Sequence, residues 1–337
     1  MHRYIARRLL ALPFVILVVS ILVFSMTRLG GTTIGPYLEP GMTEEEIAAL
    51  EERFNLDEPV HMQYLAWLGG VFRGELGWSA VAAAPVVDVF RTKIPASFEL
   101  GAFAALWAVT LGIGLGTFSA KRRNKMPDQL TSVFAVGGAS MPTFWLGIVL
   151  LIIFWSYLGW FPHGRSDPEI WASMAHPTGF YVIDSIIAGR LDGVRDALWH
   201  LVLPALTLGY GAVGIVTRMM RSSLLEEMGK DYVDAARARG LPERLVVRRH
   251  ARRNAFIPTI TVIGLSIGIM FEGTVVVETI FGWPGLGNWM ADSVLSGDQA
   301  TTLAFVIFTS ILFVSINMLV DVTYGYLDRR VIASKAA

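Results

Sequence analysis

"LGAFAALWAVTLGIGLGTFSA", residues 100–120, contains no charged side chain. About 20 apolar residues in helical form cross the hydrocarbon core of a bilayer, so this run reads as a membrane-spanning helix. Five further runs of the same character follow it or precede it: 9–26, 130–158, 197–217, 255–271 extended by the apolar "GTVVV", and 300–320. The composition agrees with this reading. At 337 residues, 53% hydrophobic, 17% charged and mean hydropathy +0.52, the chain is too apolar for an ordinary soluble domain. The expected fold class is all-α, a polytopic integral membrane protein with six transmembrane helices. The basic "MHRYIARRLLALP" before the first run would also suit a cleaved signal, but the run is long for such a core and no A-x-A-like site follows.

The formal net charge is zero, so the bulk balance points to no nucleic-acid partner, and what matters is where each sign falls. The absence of cysteine excludes disulfides, thiolate metal sites and cysteine nucleophiles. Basic residues mark every second connection: Arg3, Arg7 and Arg8 before the first run, Lys121, Arg122, Arg123 and Lys125 between the second and third, an arginine-rich segment after the fourth, and Arg329, Arg330 and Lys335 at the end. The connection 29–99 is the reverse, with four basic and eleven acidic residues. Basic short loops stay on the cytoplasmic side, so both termini are expected to be cytoplasmic.

The acidic connection is organised. Thr43 and Glu46 fit a capping box opening a helix through "IAALEERF", and "HMQYLAWLGGVF" has helical apolar spacing. A small solvated cap packed on the spans is the simplest reading of it. The segment 161–200, with Pro162, Pro168 and Pro177 and the amphipathic "FYVIDSIIAGRLDGVRDALWH", suits a hairpin or re-entrant cap. Within the runs, "LGIGLGTF", "VGGASMP", "LGYGAVG" and "GLSIGIM" place small residues at intervals of three and four, which lets helix backbones approach closely.

One charged stretch stands between two apolar runs. "DYVDAARARGLPERLVVRRHARRNAFIP", residues 231–258, belongs to a segment (218–253) with ten basic and five acidic residues. "DYVDAARARG" reads as a short helix with acids in its first turn, arginines in its last and Gly240 as its C-terminal cap before Pro242. Ala235, Ala236 and Ala238 give it a small-residue face suited to a groove on another protein. A basic loop against anionic lipid is the alternative, and the pattern alone leaves both open.

Here the residues resemble a family. The stretch is similar to the EAA loop of ATP-binding-cassette importer permeases in the form used by the peptide and nickel subfamily, through Asp231, Tyr232, Val233, Ala236, Arg237, Ala238, Gly240, Leu241, His250, Arg253, Asn254, Ala255 and Pro258. "FNLDEPVHMQYLAWLGGVFRGELGWS", "SMPTFWLGIVLLIIF", "LVLPALTLG", "ETIFGWPGLGNWM" and "NMLVDVTYGYLDRR" resemble that subfamily in the same order. "LGGTTIGP", "SGDQATT" and Asp328-Arg329-Arg330 depart from its usual turns and tail.

The resemblance implies the type I importer permease fold, in the cytoplasmic membrane of a bacterium or archaeon. It implies an N-terminal helix plus extracytoplasmic cap (1–94), a five-helix transmembrane domain (95–327) holding the cytoplasmic coupling loop 218–256, and a tail (328–337). It also implies two separate ATPase subunits, a second homologous permease, an extracytoplasmic binding protein and surrounding lipid. The cargo would be a peptide, dipeptides first, with nickel, glutathione or short oligosaccharides as alternatives within the family. Residues expected to couple to the ATPase are Tyr232, Asp234, Ala235, Ala236, Arg239 and Gly240. Glu272, an ionisable residue inside a span, is the candidate for the translocation path, weighed against a carboxyl satisfied between helices.

No catalytic residue, cofactor or metal is expected. A phosphate-binding loop needs G-x-x-x-x-G-K-[ST], and the lone Gly229-Lys230 lacks that context, so any ATPase lies on another chain. "LSGDQ", 295–299, resembles an ATPase signature by coincidence. His163, His176 and His200 lack ligand spacing. A self-contained secondary transporter is the competing class, but it calls for an inverted repeat, and none is visible.

Overall fold

The computed structural model describes residues 2–29, 34–35, 38, 42–53 and 56–327, of which the side chains of 2–12, 29, 53, 272, 317 and 319–327 lie outside the description. The described residues fall into two compact units, one formed by 98–283 with the end of the last helix, the other by 2–97 with 284–314.

The first unit is built around α9 (Leu191–Met228), which runs 38 residues. Packed on it are the later part of α4 (Val86–Lys121), α5 (Met126–Ser140), α6 (Thr143–Leu150), α7 (Pro168–Ala172), α8 (Tyr181–Ile187) and α12 (Arg252–Phe281), with α10 (Asp231–Ala238) and the short α11 (Glu243–Leu245) between α9 and α12. Small residues set how closely these helices pack. A Cβ built on Gly214 would overlap the Ala135 carbonyl oxygen, one on Gly138 would lie 2.6 Å from the Tyr210 carbonyl oxygen, and one on Gly116 would lie 2.7 Å from that of Thr217. The expected close approach is thus realised by the glycine-rich motifs of α4, α5 and α9.

The run 130–158 is not one straight helix. It breaks at Met141–Pro142, where α5 and the following segment meet at 106°. Pro142 disfavours helical geometry at the residue before it, and Met141 is extended (φ −86°, ψ 124°). Beyond α6 the backbone continues as a π-helix, Leu151–Tyr157. Among the described residues four helices are long and apolar enough to cross a membrane, or five if the bent pair counts as one span; a shorter apolar stretch, Pro13–Arg28, lies in α1 (His2–Leu29).

The second unit holds α1, α2 (Glu44–Arg53), α3 (Val60–Phe72), a two-residue hairpin β1 (Trp78–Ser79) and β2 (Ala84–Pro85), the start of α4, α13 (Leu286–Leu295) and most of α14 (Gln299–Leu327). The capping box forms as read: the Thr43 amide donates to Glu46 (2.8 Å) and the Glu46 amide to Thr43 Oγ1 (3.3 Å), holding the Glu46 carboxyl below its ordinary pKa. α3 packs on α1 through Phe24, Tyr64 and Trp67, with Tyr64 Oη 2.9 Å from Ser20 Oγ. The core is Val86, Val89, Phe90, Leu286, Trp289 and Ala304, with Phe90 and Trp289 edge to face at 5.4 Å.

Asp298, inside the "LSGDQ" decoy, has a structural task. It is fully buried, accepts from the Thr301 amide (3.1 Å) and hydroxyl (2.8 Å) at the start of α14, and takes the Ser79 hydroxyl (2.7 Å) from the hairpin. The resemblance to an ATPase signature therefore coincides with a helix cap.

Candidate coupling helix and translocation groove

Lys230, in extended geometry, precedes the first turn of α10, where Asp231 and Asp234 complement the helix dipole. At the other end Gly240 takes φ +78°, its amide donating to the Arg237 carbonyl (2.8 Å), and the Leu241 amide donates to the Ala236 carbonyl (3.4 Å). This pair is the Schellman arrangement, which glycine closes without the strain of a Cβ.

Val233 and Ala236 face inward and are fully buried with Ala120, Met220, Leu224, Val246, Val247, Ala251 and Ala255. Of the residues expected to touch an ATPase, Tyr232, Asp234, Ala235, Arg239 and Gly240 are exposed, whereas Ala236 packs against its own chain. A period of 3.6 puts 233 and 236–237 on one side, so Ala236 contributes packing and the exposed small residues are Ala235 and Ala238.

Two side chains clamp this helix at the ends of its neighbours. The Tyr232 hydroxyl donates to Glu227 on α9 and accepts from Asn254 Nδ2 on α12 (3.0 Å). Burial and then the Glu227 carboxylate push the phenol above its ordinary pKa, keeping it a neutral donor. Arg237 forms a two-toothed bond with Glu243 (3.2 and 3.0 Å) and reaches Asp234 (2.8 Å) and the Met228 carbonyl oxygen (3.4 Å). Glu227, Glu243 and Asn254 were not singled out as working residues from the sequence; the sign alternation of the segment was the signal for the two glutamates, and the family-like Arg253-Asn254-Ala255 the signal for the asparagine.

Farther along α9 and α12 two cavities of about 360 and 510 Å³ adjoin at Ile215. Leu208, Gly211, Ala212, Ile215, Arg218, Met219, Arg221 and Ser222 form their wall on α9, and Val262, Ser266, Ile269, Met270 and Gly273 form it on one face of α12. Both rows follow the three- and four-residue rhythm of a helical stripe, so the cavities make a single groove along two helices. The smaller cavity is mostly apolar, with Thr143 and Ser266 as polar points, whereas the larger one adds Ser132, Arg218, Arg221 and Ser222. The Glu272 side chain, the candidate for this path, lies outside the described residues, as does that of Asp321. Glu278 is fully buried in α12.

The segment 161–200, expected as a hairpin or re-entrant cap, packs within the same unit through α7 and α8 on α9. Buried Arg165 pairs with Glu99 (2.8 Å) and donates to the Gly179 carbonyl (2.7 Å), while the other Glu99 oxygen accepts from the Val182 amide (2.8 Å). The buried Asp184 carboxylate accepts from the Thr178 and Gly179 amides (3.0 and 2.9 Å), and Asp196 takes the Tyr181 hydroxyl (2.6 Å). Burial and that carboxylate push the Tyr181 phenol well above its ordinary range. The histidines serve the same scaffold: His176 stacks on Trp171 at 3.6 Å, and His200 Nδ1 lies 2.9 Å from the Asp196 carbonyl oxygen.

A helical membrane chain with a capped, surface-displayed helix between two long helices, and a groove along those same two, has the makings of an importer permease. The chain belongs to the family of binding-protein-dependent transport system inner membrane components: the family profile matches residues 112–333, and the profile of its N-terminal part matches residues 1–95. It is therefore a multi-pass cytoplasmic-membrane permease of the ATP-binding-cassette importer kind. A dipeptide transport system permease of Alkalihalophilus pseudofirmus is 36% identical over 98% of this chain and 99% of its own. A glutathione transport system permease of Salmonella paratyphi A is 34% identical over 97% and 98%. Among solved structures, an inward-facing MetNI methionine transporter chain shares the fold with a TM-score of 0.51 at 15% identity, covering 70% of this chain and 96% of its own.

Proposed function

We propose that this permease carries peptides, dipeptides first, through a pore made with a second, homologous permease, and that two separate ATPase subunits drive it by docking on α10. A glutathione-carrying relative keeps that tripeptide as a second cargo of the same chemical class. An extracytoplasmic binding protein delivers the cargo. The chain hydrolyses no ATP itself, since it lacks the glycine-rich loop that cradles phosphate. In this reading α1 and the bent α5–α6 pair each count as one span, giving six with both termini cytoplasmic. Residues 1–94 form the N-terminal helix and cap, 95–327 the transmembrane domain with coupling loop 218–256, and 328–337 a tail.

The observation that carries the reading is the clamping of α10 to Glu227, Met228 and Asn254, at the very ends of the helices that wall the groove. Closure of the ATPases would push Tyr232, Asp234, Ala235, Arg239 and Gly240, and the clamps would pass the motion to α9 and α12, repacking the groove between inward-open and outward-open forms. Glu272, beside Gly273 in the chain, is retained as a candidate for attracting the ammonium end of a peptide.

The test is purification of the tagged permease under mild detergent with and without Ala235→Glu and Arg239→Glu. Both positions are exposed, so the variants keep their fold. Two ATPase chains and a second permease should accompany the wild type, with the ATPases lost from the variants. ATPases that stay bound to both variants would sink the docking assignment.

A further inference from the structure

The α4–α5 turn carries a buried carboxylate, Asp128, that neither the coupling helix nor the groove accounts for. Asp128, at the start of α5, is 3% exposed although it is ionisable. Arg221 of α9 holds it with both arms of its guanidinium, Nε at 2.7 Å from one carboxylate oxygen and Nη2 at 2.8 Å from the other. The fully buried Ser119 hydroxyl, on α4, donates to Asp128 and accepts from Arg221 Nε (3.1 Å), and the Asn124 amide in the turn donates to Asp128 (2.9 Å). One carboxylate thus ties three helices, two of which, α4 and α9, meet close by at Gly116 and Met220.

The positions of these residues in the chain matter as much as the bonds. Ser119 is next to Ala120, and Arg221 is next to Met220; Ala120 and Met220 are both in the buried cluster on which Val233 and Ala236 of α10 rest. Arg221 also lines the groove. The same three residues therefore stand between the face that α10 pushes and the wall that must move.

We propose that Asp128, gripped by Arg221 and Ser119, is a positioning lock that makes the ends of α4, α5 and α9 move as one body with α10. The inference rests on the coupling role proposed for α10. With the lock closed, a push on Val233 and Ala236 displaces all three helices. With it open, α9 yields locally, and ATP is hydrolysed without repacking the groove. A bidentate arginine–carboxylate pair suits this task because it fixes both distance and angle, which a lysine point charge does not.

The experiment uses the complete complex reconstituted in proteoliposomes, reading ATP hydrolysed and dipeptide taken up in the same sample. Asp128→Asn should retain both ATPases and an ATPase rate near that of the wild type, while peptide moved per ATP falls about tenfold, as expected when a charged hydrogen-bonded pair is lost. Arg221→Lys should fall between the two, and the exchange Asp128→Arg with Arg221→Asp should recover part of the ratio. If Asp128→Asn does not assemble, Ser119→Ala removes one hydroxyl and gives the same comparison with a smaller drop. An unchanged ratio in an assembled variant, or uptake and hydrolysis falling in step, would overturn the lock. ATPases absent from the wild-type complex would instead overturn the α10 reading, so the two failures are told apart.

Discussion

Tyr232 shows how a single hydroxyl serves the proposed lever. It is about a third exposed, and its hydroxyl joins Glu227 at the end of α9 to Asn254 at the start of α12. Tyr232→Phe keeps the ring and deletes both bonds, at a cost of about 1 kcal/mol in stability because the partners can turn to water. Transport should suffer more than stability. Uptake per ATP is expected to fall several-fold while thermal unfolding of the purified permease moves little; a variant with a wild-type ratio would take Tyr232 out of the clamp. This is a different residue set from the Asp128 lock, and the two effects should multiply if they act at separate points of one path.

At the scale of elements, glycine decides how closely α5 and α9 pack. Gly214 of α9 faces the Ala135 carbonyl of α5 with no room for a methyl group. Gly214→Ala should lower stability by about 1–3 kcal/mol through overpacking, read as a lower unfolding temperature in detergent, whereas Gly114→Ala, where nothing lies within 4 Å, should not. Equal tolerance of both would remove close packing as the reason for the motif. These glycine patterns were legible in the sequence, as were the capping box at Thr43 and the left-handed cap at Gly240, because each is set by residues within one or two turns. Three features were not. The partner of Asp128 is 93 positions away and that of Ser79 is 219 away, and no local pattern announces such pairs. The 106° break at Pro142 was not legible, since the apolar run 130–158 reads as one span and the angle follows from the packing of both halves. The inward turn of Ala236 needed the position of α9, which a helix read in isolation does not supply.

For the whole molecule, the absence of cysteine makes topology directly measurable, because any introduced thiol is the only one in the chain. The proposed arrangement puts the basic turns on the cytoplasmic side and the acidic cap and the 161–200 segment outside, as the distribution of Lys and Arg among short loops requires. Arg123, Glu45 and Glu169 are exposed side chains in the α4–α5 turn, α2 and α7 respectively. In intact cells a membrane-impermeant maleimide should label Glu45→Cys and Glu169→Cys and leave Arg123→Cys untouched until the membrane is opened. Ala235→Cys should behave like Arg123→Cys, and its labelling should also drop when the ATPases are bound, since the helix would then be covered. Because the cap, the coupling helix and the α4–α5 turn are assigned to sides by charge alone, reversal at any one site would move that element across the membrane. A coupling helix labelled from outside would be out of reach of any cytoplasmic ATPase, and the drive mechanism proposed for this permease would fall with it.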